Sequence, residues 1–184
     1  MTHLVLIRHG ETDWNVEGRY QGQADPPLNA HGVAQSKELA EHLEIYGLDF
    51  LYSSPLKRAA QTAQIVSERL RIPLYFDSRL MEIHQGDWQT RLRAEINELY
   101  PELFKRWESE PWEVSPPNGE FLHQVQDRVV AAVEEIKVKY PHNCAGLITH
   151  RIPIALIKVR YQEVGRDIVR TMHLPNIYIE QLEI

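Results

Sequence analysis

Apolar residues along this chain fall into two patterns. Short runs bounded by turn or capping residues predict strands at His3 to Ile7, Leu48 to Tyr52, Leu74 to Phe76, Ala145 to Thr149 and Ile177 to Leu182. Most of these runs are continuous rather than alternating, which predicts burial on both faces. Elsewhere the apolar positions step by three and four. Leu56, Ala59, Ala60, Ala63, Val66 and Leu70 do so, as do Phe121, Val125, Val129, Val133, Ile136 and Tyr140, so each set forms one stripe of a helix. A third helix is predicted from about Ala30 to Tyr46. A fourth, less regular, runs from about Leu92 to Trp107 with a break at Pro101.

Strands alternating with helices predict an α/β fold: a three-layer α/β/α sandwich around a mostly parallel central sheet. Such sheets bind ligands beyond the carboxyl ends of their strands. The positions to inspect are therefore Arg8-His9, Ser53 to Arg58 and His150-Arg151.

Composition narrows the picture. A length of 184 residues, 43% hydrophobic and 25% charged, suits one domain, residues 1–184, with one sizeable core. A formal net charge of −6 argues against broad attraction to nucleic acid or to an anionic membrane. No segment approaches the roughly 18 apolar residues of a membrane span, and the apolar run beginning at Leu4 meets Arg8 too early for a signal-peptide core. The single cysteine, Cys144, reads as a small buried residue, and the cytoplasm is the expected location.

The strand ends carry two histidines and at least two arginines. Arginine offers planar, permanently charged donors that match phosphate oxygens two at a time, and neutral imidazole can attack phosphorus. Gly10 lets the backbone turn sharply after His9. In Ser53-Ser54-Pro55-Leu56-Lys57-Arg58, Ser54 reads as a helix N-cap and Pro55 as the first helical residue. Arg58 then falls in a first turn, where acidic residues are normally preferred, and adds a charge to an existing anion site. Glu82 is a candidate proton donor to a leaving alkoxide, although Asp87 stands close to it in sequence. Nine histidines suggest a metal, but there is no His-x-x-x-His pair, Cys-x-x-Cys or Asp cluster, so neither metal nor cofactor is expected. His84 and His173 are pocket candidates without a spacing argument.

Together these segments resemble the histidine phosphatase, or phosphoglycerate mutase-like, family. The resemblance rests on Leu6-Ile7-Arg8-His9-Gly10-Glu11-Thr12, Gly18-Arg19-Tyr20-Gln21-Gly22, Ser53-Ser54-Pro55-Leu56-Lys57-Arg58-Ala59, Glu82 with Gly86 and Trp88, Pro117-Asn118-Gly119-Glu120, and Thr149-His150, all in family order. It implies that His9 is phosphorylated, that Arg8, Arg58 and His150 bind the phosphoryl oxygens, and that Glu82 protonates the leaving group. Thr12, Asn15, Gln21, Gly22 and Arg151 form a second tier near the substrate. A metal-independent phosphomonoester hydrolase of the compact branch is the implied activity, acting on small phosphorylated metabolites. The alternatives are a phosphoglycerate mutase-type transferase and a non-catalytic phosphate-binding module. A second copy of the chain is left open as a partner.

Two positions depart from the family pattern. Arg151-Ile152 replaces small residues after the second histidine, and Phe121 replaces a serine. Arg151 clashes if that backbone needs a positive φ, or it adds a cation for a second acidic group on the substrate. Phe121 points to a less polar leaving group or to better packing.

Overall fold

The computed structural model describes residues 1–184. Five strands form one sheet: β1 (His3–Arg8), β2 (Phe50–Ser53), β3 (Leu74–Phe76), β4 (Cys144–Thr149) and β5 (Ile179–Glu183). Their order is β3-β2-β4-β1-β5. β1, β2, β3 and β4 run parallel, and β5 closes the edge antiparallel to β1. The helices are α1 (Asp13–Glu17), α2 (Ala30–His42), α3 (Lys57–Leu70), α4 (Arg93–Leu99), α5 (Pro101–Ser109), α6 (Leu122–Lys139), α7 (Arg151–Tyr161) and α8 (Ile168–Thr171).

The layers follow from side-chain alternation along the strands. In β1, Leu4 and Leu6 enter a cluster with Phe50, Leu147 and the apolar stripes of α6 and α7. Val5 and Ile7 point the other way, joining Leu51, Ile148, and the buried faces of α2 and α3. Every central strand is thus covered twice, as the continuous apolar runs require. The edge strand β3 departs from this, with Tyr75 and Phe76 exposed.

Several boundaries differ from the sequence expectation. α3 begins at Lys57, and its N-cap position, Leu56, has no side-chain cap. Asp25 Oδ1 accepts the Lys57 N–H at 2.6 Å instead, so the cap comes from a distant loop that local spacing does not reveal. Pro101 does break the fourth helix, separating α4 from α5. α7 was not legible: its residues Ile152 to Ile157 are all buried, so no polar face marks a helical period. Pro153 fits its first turn, where a backbone N–H has no helical partner to lose. Cys144 is only half-buried.

Candidate active site

Parallel pairing brings the strand ends together. Arg8 lies opposite Thr149, and Ser53 lies opposite Ile148. The ladder continues past both ends: His9 N–H donates to Thr149 O at 3.1 Å, and Ser54 N–H to Ile148 O at 3.0 Å. His9 and His150 are thereby placed with ring centroids 5.1 Å apart.

His9 is buried, and its Nδ1 lies 2.7 Å from Gly10 O. A carbonyl only accepts, so Nδ1 carries the hydrogen and Nε2 keeps its lone pair. Burial, then Arg58 and Arg8, hold the His9 pKa well below the usual histidine value, which keeps the ring neutral. Asn176 braces this arrangement, its Nδ2 donating to His9 O at 3.0 Å and Gly10 O at 3.1 Å. His150 Nε2 is 2.8 Å from Ser54 Oγ, while its Nδ1 is buried with no protein partner. Burial first, then the Arg58 charge, also push its pKa down. Ser54 therefore serves the histidine rather than capping α3.

Two arginines flank the rings. Arg8 donates from Nη1 to Leu174 O, and Arg58 from Nη1 to Ala24 O at 2.9 Å and Nη2 to Gly22 O at 2.7 Å. The Nε of each is buried without a protein acceptor. Burial lowers each pKa to about 10, which leaves both fully charged near neutrality. Gly22 adopts φ +51°, and a Cβ there would lie 2.5 Å from Gln89 Oε1. Only glycine lets this loop present its carbonyl to Arg58 at little cost.

Glu82 reaches the same cavity from the loop after β3. Its Oε1 accepts Ile83 N–H at 2.9 Å, yet burial dominates and raises its pKa. Arg128 of α6 holds this loop, donating to Arg79 O at 2.7 Å, Met81 O at 2.6 Å and Glu82 O at 2.9 Å while pairing with Glu120. Asp87, in contrast, binds the exposed Asn118 amide. The structure thus separates the two carboxylates that sequence left together.

The cavity holds about 290 Å³ and is lined by Arg8, His9, Asn15, Gln21, Gly22, Arg58, Glu82 and Arg151, with Trp14, Arg19, Tyr20, Gln85, Trp107 and Ile152 among the rest. Thr12 is not in this wall. It is fully buried and caps α1, Oγ1 accepting Asn15 N–H at 3.2 Å. Its place is behind the substrate residues, because a short helix start leaves N–H groups that need a hydroxyl. Phe121, His84 and His173 also lie outside the lining: Phe121 stacks on His123 at the start of α6, and His84 Nδ1 accepts Gly86 N–H at 3.1 Å. Arg151 needs no positive φ, since it opens α7 as the first helical residue.

Asn176, Arg128 and Gln85 were not anticipated. Arg128 had one signal, a cation three residues after Val125 on a buried stripe. Asn176 and Gln85 had none. No three His, Cys, Asp or Glu side chains stand close enough to hold a metal ion, and no helix is long and apolar enough to cross a membrane.

A neutral imidazole with a free Nε2, fixed cations and a buried carboxyl group with a raised pKa, set beyond parallel strand ends, define a site for phosphoryl transfer. The model of the histidine phosphatase superfamily (branch 1) matches residues 4–184, and the chain belongs to that superfamily. Phosphoserine phosphatase 1 of Hydrogenobacter thermophilus is 40% identical over 154 residues, 84% of this chain and 73% of the relative. A probable phosphoglycerate mutase GpmB of Proteus mirabilis is 30% identical over 187 residues, 100% of this chain and 85% of the relative. Among solved structures, a mycobacterial glucosyl-3-phosphoglycerate phosphatase in complex with VO3 superposes with a TM-score of 0.90 at 31% identity, covering 98% of this chain and 92% of the other. The enzyme is a phosphatase.

Proposed function

We propose that the chain, folding as one domain, hydrolyses small phosphomonoesters through a phosphohistidine. His9 Nε2 attacks phosphorus, and the P–O bond to the leaving group breaks as Glu82 gives that oxygen its proton. Arg8, Arg58 and His150 bind the equatorial oxygens, where charge builds up in the transition state. Water then attacks the phosphohistidine, Glu82 takes the water's proton, and phosphate leaves with His9 restored. Asn15, Gln21, Gly22 and Arg151 contact the substrate around the phosphoryl group. The observation that carries this reading is the His9 ring itself, held by Gly10 O at 2.7 Å in one cavity with a carboxyl group whose pKa burial raises.

The test is phosphate release from p-nitrophenyl phosphate without added metal, together with rapid-quench trapping of an acid-labile phosphoenzyme. His9→Ala should lose at least about 10³-fold in kcat and all trapped phosphate. EDTA should leave the native rate unchanged; turnover that survives in His9→Ala, or dies with EDTA, refutes the scheme. Mutase-type exchange is the second reading, favoured by the GpmB relative that aligns over the whole chain. It predicts transfer of label between phosphoglycerate positions faster than release of phosphate. The cytoplasm and a small phosphorylated metabolite, rather than nucleic acid, are the setting and partner most consistent with a net charge of −6 and a lone free cysteine.

A further inference from the structure

Arg8 and Arg58 together match the two negative charges of a phosphomonoester. Arg151 is a third cation on the same cavity, beyond what the phosphoryl group requires. Its Nη2 donates to Val169 O at 2.9 Å, and none of the ion pairs in the molecule includes it. Glu82 lines the same cavity but forms no ion pair with it.

Arg151 also lines a second cavity of about 510 Å³, which shares Tyr20, Trp107, Arg151 and Ile152 with the first. The other two arginines of that wall already have partners: Arg93 pairs with Glu108, and Arg170 with Asp167 at 3.6 Å. One guanidinium without an ion-pair partner therefore stands on the wall that the two cavities share. Half-buried cations without counter-charges are costly to keep. Here the guanidinium lines both cavities.

We propose that the preferred leaving group carries a second anionic group, a carboxylate or a second phosphate, which Arg151 binds, and that its remaining body lies in the second cavity against Tyr20, Trp107 and Pro111. This rests on the phosphomonoesterase reading above. The substrate is then a phosphomonoester of an acidic alcohol, longer than the first cavity alone can hold.

Matched substrates test it. For a carboxylate, 3-phosphoglycerate is compared with glycerol 3-phosphate; for a second phosphate, fructose 1,6-bisphosphate is compared with fructose 6-phosphate. In native protein at low salt, kcat/KM for at least one charged member should exceed its neutral partner by about tenfold or more, mostly through KM. Arg151→Gln should bring that ratio close to one, and Arg151→Lys should retain part of it. Because both members of a pair meet the same folded fraction, partial unfolding of a variant lowers both rates and leaves the ratio intact. The pair that shows the ratio names the anionic group. A ratio near one in native protein, or one that Arg151→Gln leaves unchanged, overturns the proposal while hydrolysis of p-nitrophenyl phosphate continues. Absence of hydrolysis on every ester refutes the phosphomonoesterase reading instead.

Discussion

Burial moves the pKa values of His9 and Glu82 in opposite directions. Desolvation disfavours the charged form of each, so it lowers the histidine and raises the carboxyl group. The two shifts bring the pH range of a proton-free nucleophile and that of a protonated acid toward overlap. The signs fix the shape of the pH profile: kcat/KM rises as pH climbs through the lowered His9 value and falls as pH climbs through the raised Glu82 value. Glu82→Gln should erase the alkaline limb and slow hydrolysis of alkyl phosphates by about 10²–10⁴-fold. The loss should be far smaller on p-nitrophenyl phosphate, whose leaving group needs no proton. Equal losses on the two esters would remove proton donation from Glu82.

At the scale of elements, the site depends on how closely two backbones approach. The first turn of α2 lies directly on the segment that follows His9: a Cβ on Gly32 would be 2.1 Å from Glu11 O, and one on Gly10 would be 2.7 Å from Gly32 O. Asn29 ties the two together, accepting Gly32 N–H at 2.7 Å and donating from Nδ2 to Glu11 Oε1 at 2.9 Å. Gly32→Ala should therefore force Glu11 away from α2, costing about 1–3 kcal/mol in urea unfolding and lowering kcat because Gly10 O holds His9. Native stability and kcat in that variant would mean that the segment yields freely. The same reasoning explains why residue spacing does not reveal the contact that Gly32 makes. Its helix was legible from spacing, but the backbone it touches is the turn after β1, more than twenty residues earlier.

For the whole molecule, the site is paid for in stability that varies with pH. His9 and His150 have folded pKa values below their unfolded value near 6.5. Below that pH the unfolded chain binds protons that the folded chain refuses, so stability should fall by up to ~1.4 kcal/mol per pH unit for each ring. Asp77, Glu120 and Glu180, lowered by their Arg and Lys partners, add losses only at more acid pH. Glu82, raised in the folded state, works in the other direction and offsets part of the loss from the two rings. The urea midpoint should still drop between pH 6.5 and 5, and His9→Asn should reduce that slope; a midpoint that rises over this range contradicts the buried neutral rings. The sequence by itself determined the α/β class, the main helices and the His9, Arg58, Glu82 and His150 candidates. These are local signals: apolar period sets the elements, and motif chemistry marks the strand ends. Only the tertiary structure decided which distant groups serve them. Asp25 caps α3, Asn176 braces the Gly10 carbonyl, Arg128 holds the Glu82 loop, Thr12 retreats to a helix cap, and Arg151 stands unpaired between two cavities. Each of these depends on hydrogen bonds and charges between residues far apart in the chain, which a one-dimensional pattern does not carry.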